Sequence, residues 1–321
     1  MTDKLLQVKG LKKHFKTKQG TVRAVDGVDF TIDYGETLGL VGESGSGKTT
    51  VGYTVIGLYV PTAGEILFGG QDIAVPVIRR RKEVKKEIQI VFQNPGSSLN
   101  PRRKIEEIIV LPLRVHGTSD HRNNKQRVAE LLGRVELSSD YASKAPTILS
   151  GGEQARVTIA RALATDPKFI ILDEPTAALD VSIQAKIITM LVDLQKELSL
   201  SYLFVSHDLS LMRNVADRVG IMYLGKICEV APAAEFFQTP LHPYSQMLLS
   251  SIPVVSDEDE KLKPKKIRVV GEIPSPVNLP SGCSFHPRCP KVMETCSQID
   301  PEMAEVEEDH FVRCHLYAQA E

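Results

Sequence analysis

"TLGLVGESGSGKTTVGYTVIGL", Thr37 to Leu58, decides the fold. It opens with an apolar run of strand length, turns through a glycine-rich loop, and continues as a longer apolar run suited to a helix. Gly42, Gly47, Lys48 and Thr49 satisfy the spacing G-x-x-x-x-G-K-[ST]. Glycines let the backbone wrap phosphate oxygens, with N–H groups pointing inward at a helix N-terminus. Lys48 is expected to reach the β- and γ-phosphates of a nucleotide, and the Thr49 hydroxyl to ligate Mg²⁺. Glu43, Ser44, Gly45, Ser46 and Thr50 line the same loop.

The same alternation recurs downstream. "FIILDEP" is a buried strand with Asp173 and Glu174 at its C-terminal end, where α/β sheets bind ligands. Asp173 is expected to hold Mg²⁺ through water, and Glu174 to act as general base on the attacking water. In "SIQAKIITMLVDLQKEL", Ile183, Ile187, Leu191, Leu194 and Leu198 recur at helical spacing, and "YLFVSHD" is the next strand. Strand, loop, helix, strand is the βαβ pattern of a parallel sheet. "LLQVKGLKKHF" and "AVDGVDFTIDYGE" read as short strands of an antiparallel flank, and the stretch from Pro101 to Lys144, with "QRVAELLGRVEL", as a helical insertion. The expected fold is therefore α/β: a P-loop core on a parallel sheet, an antiparallel β flank and a helical subdomain over about 95–165.

"LSGGEQARVTIARAL", Leu149 to Leu163, places a second glycine pair behind a serine at the mouth of a helix. One chain thus carries two anion-holding turns about a hundred residues apart.

The chain has 321 residues, 42% apolar and 25% charged, with net charge -1. That length suits one large domain or two smaller ones. No basic excess draws it to nucleic acid, and the run Arg79–Lys82 reads as a solvated turn. No apolar run reaches the ~18 residues of a membrane span, and the N-terminus lacks the apolar core of a secretory signal. A cytosolic location follows, with membrane association only through a partner.

Six motifs in order carry a family resemblance: the P-loop, Gln93 in "VFQNP", "LSGGEQ" at Leu149–Gln154, "ILDEP" at Ile171–Pro175, "AALD" at Ala177–Asp180 and "SHD" at Ser206–Asp208. Together they resemble the ATPase subunit of an ABC transporter over about residues 4–250. The resemblance implies that two subunits stack head to tail. ATP and Mg²⁺ then lie between the P-loop of one and Ser150, Gly151, Gly152, Gln154 and Asp180 of the other. It also implies that Gln93 senses Mg²⁺ and the attacking water, that His207 contacts the γ-phosphate, and that Phe15 stacks on adenine. A core role for Phe15 remains the rival reading. The resemblance also implies hydrolysis of ATP to ADP and phosphate at the cytoplasmic face of a membrane, as a peripheral subunit.

Composition shifts near residue 253, where "PVVSDEDEKLKPKK" reads as a linker, so 1–250 reads as the ATPase and 251–321 as linker and tail. "LHPYSQMLLSSIP" and "CSFHPRCP" resemble the tail of dipeptide and oligopeptide importer ATPases, a tail shared with nickel and some glycan importers. The implied partners are two membrane permease subunits, a second ATPase that is identical or different, and an extracytoplasmic peptide-binding protein, with no nucleic acid. A DNA-repair or translation ATPase and a non-hydrolysing regulatory module are the other classes considered. Cys283, Cys289, Cys296 and Cys314 have five, six and seventeen residues between them, without the close pairs of a zinc site. In the resembled importers such a tail is associated with a [4Fe–4S] cluster. Zn²⁺, free thiols, and His286, His310 or His315 as ligands stay open. Cys228 in "KICEV" reads as a core residue.

Overall fold

The computed structural model describes residues 4–118, 123–177, 179–252 and 271–317. Ala178 and the charged linker read from residue 253 lie outside the described residues. In chain order, β1 (Lys4–Thr17), β2 (Gly20–Asp33) and β3 (Thr37–Val41) lead to α1 (Lys48–Ile56), β4 (Ala63–Phe68) and β5 (Gln71–Asp72). Then come α2 (Lys82–Glu87), β6 (Ile88–Val91), α3 (Ile105–His116), α4 (Asn124–Arg134), α5 (Gly151–Leu163), β7 (Phe169–Asp173), α6 (Val181–Leu198) and β8 (Ser201–Ser206). The last elements are α7 (Leu209–Val215), β9 (Arg218–Tyr223), β10 (Lys226–Pro232), α8 (Ala233–Gln238), α9 (Pro243–Ser250), β11 (Ala304–Glu307) and β12 (His310–Val312).

Two compact units emerge, each built from separate stretches of chain. Among the described residues, the P-loop unit takes those within 4–31, 37–75 and from 205 to 317, and the LSGGEQ unit those within 32–36 and 76–204.

In the P-loop unit, one sheet has the order β2-β1-β4-β5, with β1 and β4 antiparallel from Leu6↔Phe68 to Lys9↔Glu65. This is the expected flank, but β1 and β2 run 14 residues each and are not short. The glycines that read as turns bend the strands without ending them. Gly10 has φ +55°, and the β1–β4 register shifts between Lys9 and Lys12, as at a bulge. A second run of strands follows the order β11-β12-β10-β9-β3. β3 is parallel to β9, with Leu38↔Arg218 and Val41↔Ile221, and all five of its residues are buried. A strand covered on both faces needs such a continuous apolar run.

The cysteine-bearing tail contributes to that run. β11 and β12 form a hairpin, and β12 pairs with β10 through Glu229↔Val312 and Val230↔Phe311. Glu229 is 0% exposed. It accepts the Leu241 and His242 N–H groups at 2.8 Å each and pairs with His310 Nε2 at 2.8 Å. A buried carboxylate is tolerated when its oxygens are this fully engaged.

In the LSGGEQ unit, β6 and β7 are parallel from Ile88↔Phe169 to Val91↔Leu172, and β8 lies on the other side of β7. Between β6 and β7 the chain forms α3, α4 and α5, the expected helical subdomain. The stripe read from the α6 sequence is buried at Ile187, Leu191 and Leu194, as 3.6-residue periodicity requires. Among the described residues, no helix is long and apolar enough to cross a membrane.

His242 supplies a pH test of this packing. It is 2% exposed, and its Nδ1 accepts the Tyr244 N–H at 3.0 Å as the cap of α9. Burial lowers its pKa to about 4, against 6.5 for the free side chain. The unfolded chain therefore binds a proton between those values that the folded chain refuses, so stability falls as pH drops from about 6.5 toward 4. Urea unfolding at stepped pH is expected to show that slope. In His242→Asn, which keeps a capping acceptor and removes the titration, the slope is expected to be shallower.

Candidate nucleotide site

The P-loop follows β3 and ends at Gly47, the left-handed N-cap of α1. The Lys48 side chain curls back into the loop. Its Nζ donates to the Gly42 carbonyl at 2.7 Å, the Glu43 carbonyl at 3.0 Å and Ser46 Oγ at 3.2 Å. Lys48 is 5% exposed, so a cation is fixed at the centre of a turn of backbone donors. A Cβ on Gly42 would meet the Met222 carbonyl oxygen at 2.1 Å. At Gly47, where φ is +107°, a Cβ would meet the Ala24 carbonyl oxygen at 2.1 Å. The two motif glycines are thus required by close backbone approach. Ser44 and Gly45 are exposed, Ser46 is buried, and Thr49 and Thr50 are half-buried at the start of α1.

Phe15 is half-buried. Its ring meets Tyr59 edge-on at 5.2 Å, and Lys13 Nζ lies 4.8 Å from the Phe15 centroid. The ring therefore belongs to a cationic-aromatic cluster rather than to the deep core. In the same unit, His207 is exposed in the turn after β8. Asp208 Oδ1 caps α7 by accepting the Ser210 N–H at 2.9 Å.

In the LSGGEQ unit, Asp173 ends β7 and is 1% exposed. Glu174 follows with φ +46°, a left-handed conformation that costs a non-glycine residue about 1 kcal/mol or more. Gln93 Nε2 donates to Glu174 Oε2 at 2.8 Å, joining two residues selected separately in the sequence.

Ser150 caps α5 and forms a capping box with Glu153. Ser150 Oγ donates to Glu153 Oε2 at 2.8 Å, and the Ser150 N–H donates to the same oxygen at 2.7 Å. Tyr141 donates to the other Glu153 oxygen, and this bond first of all holds the carboxyl below its usual pKa. Ser150 and Gly151 are exposed, whereas Gly152 is buried. A Cβ on Gly152 would meet Ile183 Cγ2 at 2.7 Å, so this glycine seats α5 against α6. Gln154 Nε2 donates to the Pro146 and Leu149 carbonyls and pins the loop before the helix. Asp180, at the N-cap of α6, is exposed next to Val181, which is 81% exposed.

The four tail cysteines are unpaired by disulfides. The Cys283 N–H donates to the Cys296 carbonyl at 2.8 Å. Burial, then the other cysteines, pushes the Cys283 and Cys289 thiols up, and Cys314 is pushed up to about 11. The four cysteines are a soft donor set by residue type, but among the described residues no three of their sulfurs lie within 4.8 Å of one another. The histidines kept as alternatives each have a ring nitrogen engaged: His286 with the Cys283 carbonyl, His310 with Glu229, and His315 with the Ile299 carbonyl. Cys228 is buried in β10, as expected, and desolvation raises its pKa strongly.

One participant was not selected from sequence. Arg288, between Cys283 and Cys289, donates from Nη1 and Nη2 to the two Glu43 carboxylate oxygens at 2.8 and 3.1 Å. Its one sequence signal is a lone cation in the cysteine segment "CSFHPRCP".

Comparison with known proteins identifies relatives of the chain. A family model described as ABC transporter matches residues 25–177, and one described as oligopeptide/dipeptide transporter, C-terminal region, matches 228–296. The oligopeptide transport ATP-binding protein AppF of Bacillus subtilis (strain 168) is 49% identical, covering 98% of each chain. The putative peptide import ATP-binding protein BOV_A0347 of Brucella ovis is 44% identical, covering 97% of each. Among solved structures, the ATP-binding cassette MJ0796, as a post-hydrolysis dimer bound to ADP and phosphate, superposes with TM-score 0.64 at 30% identity. It covers 71% of this chain and 98% of its own.

Gly47→Ala tests the loop geometry. The added methyl cannot coexist with the Ala24 carbonyl, so nucleotide affinity is expected to fall at least about 100-fold. Fluorescence anisotropy with a labelled ATP checks this, and Gly45→Ala, with open space around its Cβ, gives the contrast through conformational strain alone.

Proposed function

This chain belongs to the ATP-binding subunits of ABC transporters, on the oligopeptide-importer branch, and from that premise we propose that it hydrolyses ATP to drive peptide import through separate membrane subunits. The observation that carries the reading is the buried Lys48 ammonium at the centre of a loop whose glycines admit no side chain.

Each unit has its own share of the chemistry. In the P-loop unit, Lys48 and the loop N–H groups of residues 43–50 hold the phosphates. The Thr49 hydroxyl is the Mg²⁺ ligand, Phe15 offers a face to adenine, and His207 contacts the γ-phosphate. In the LSGGEQ unit, Asp173 and Gln93 serve Mg²⁺, and Glu174 accepts a proton from the attacking water. The Gln93–Glu174 bond supports the last assignment, because it orients the carboxylate before water arrives. Mg²⁺, when bound, neutralises charge on the phosphate oxygens.

The second glycine turn completes a site on another subunit. Ser150 and Gly151, exposed at the N-terminus of a 13-residue helix, can address a γ-phosphate held by a partner's P-loop, with Gln154 shaping the turn and Asp180 facing the partner. Hydrolysis removes that phosphate and loosens the pair. The partners are a second ATPase subunit, two permease subunits and an extracytoplasmic peptide-binding protein, at the cytoplasmic face of the membrane.

Glu174→Gln keeps the Gln93 contact and removes the base. It is expected to accumulate a dimer in ATP and Mg²⁺, seen as a doubled mass by light scattering, with hydrolysis reduced about 100-fold or more. A monomer under saturating ATP contradicts the sandwich.

We further propose that Cys283, Cys289, Cys296 and Cys314 hold a [4Fe–4S] cluster, with Zn²⁺ as the competing occupant. Four cysteines in one tail, none of them in a disulfide, support the reading by supplying the donors such a cluster needs. Protein purified anaerobically is expected to be brown, with about four iron atoms per chain. Colourless protein containing one zinc reverses the assignment.

A further inference from the structure

Glu43 is the first variable residue of the P-loop, so its carboxylate sits on the loop where Lys48 gathers phosphate. An acid there opposes a polyanion unless its charge is answered. The answer comes from a residue 245 positions away. The Arg288 guanidinium faces Glu43 with both terminal nitrogens, in the fork geometry that only arginine supplies. The Arg288 side chain is 8% exposed and the Glu43 side chain 25%, which removes the pair from most solvent screening.

The loop is held a second time at its main chain. The Glu43 N–H donates to Tyr244 Oη at 3.0 Å. Tyr244 packs on Tyr223 at 4.7 Å and on Phe285 at 5.3 Å, and Tyr223 on Phe285 at 5.4 Å. Phe285 is buried and lies two residues after Cys283; Arg288 immediately precedes Cys289. The His286 N–H donates to the Cys283 carbonyl at 3.0 Å, and the Arg288 N–H to the Phe285 carbonyl at 3.0 Å. The guanidinium is therefore aimed by a seven-residue segment, Cys283 to Cys289, whose two ends are cysteines of the proposed cluster.

We infer that the cysteine tail sets the nucleotide affinity of the P-loop through Arg288, a positioning residue that neutralises Glu43 and fixes the loop against the Tyr223–Tyr244–Phe285 block. The inference rests on the nucleotide-site reading given above. Loss of the group held at Cys289 frees the turn, withdraws the guanidinium and leaves the Glu43 carboxylate bare beside the phosphates. The tail is then a control element: a chain with an intact cluster grips nucleotide, and one whose cluster is lost does not grip it as well.

The test measures binding of a fluorescent ATP analogue with Mg²⁺ to the full-length chain, purified anaerobically, with circular dichroism as a check of folding. Arg288→Gln is expected to weaken binding about tenfold, the size of one charge-assisted pair. Arg288→Gln with Glu43→Gln is expected to recover most of that loss, because the repelling carboxylate is gone. A purely structural arginine gives no such rescue. Arg288→Lys, which keeps the charge without the fork, falls between parent and Arg288→Gln and serves if Arg288→Gln fails to fold. Cys289→Ser is expected to weaken binding in the parent and to add little in a Glu43→Gln background. The inference is overturned if Arg288→Gln and Arg288→Lys bind within twofold of the parent. It is also overturned if the double variant binds no better than Arg288→Gln, or if Cys289→Ser acts equally in both backgrounds. Lys48→Ala separates the two levels. A parent that binds no better than Lys48→Ala defeats the nucleotide site itself. A parent that binds while Lys48→Ala does not, with Arg288→Gln unchanged, defeats the coupling alone.

Discussion

Backbone carbonyls approach the P-loop so closely that side chains are impossible at Gly42 and Gly47, and the surrounding architecture follows from that closeness. The Met222 carbonyl of β9 and the Ala24 carbonyl of β2 occupy the space a Cβ would need. The β9–β10 turn adds a lacing: the Gly225 N–H donates to the Ser46 carbonyl at 2.9 Å, and the Gly225 carbonyl accepts the Asp26 N–H at 2.8 Å. Leu224 and Gly225 both adopt positive φ to make this possible. The loop is thus preorganised by three pieces of chain. Binding phosphate then costs little further ordering.

The other unit spends its strain differently. Glu174 departs from ordinary backbone conformation just where β7 stops, and Gln93 holds its carboxylate. Ser150 lies at an exposed helix end whose free N–H groups are only partly met by its own capping box.

Legibility in the sequence tracked the range of the interaction. The P-loop, the acids after β7 and the α5 cap are patterns within a dozen residues, and they fold as read. The flank strands were misjudged in length because glycines at bends resemble glycines at turns. In "KICEV", alternation correctly sends Cys228 inward, which should turn Glu229 out; Glu229 is buried as well. The β9–β10 register shifts between Ile227 and Glu229, and His310 on β12 closes over the carboxylate. Strands of four and three residues such as β11 and β12 carry too little periodicity to announce themselves. The Arg288–Glu43 pair was invisible because nothing local in either residue's neighbourhood refers to the other.

The Glu229–His310 pairing also makes the tail part of the fold. A cassette that discarded its tail would lose the imidazole partner and leave a charged carboxylate under an uncovered strand, β10, whose ladder groups then face open water or another molecule. In this chain, burial of the Glu229 carboxylate and docking of the tail therefore depend on each other.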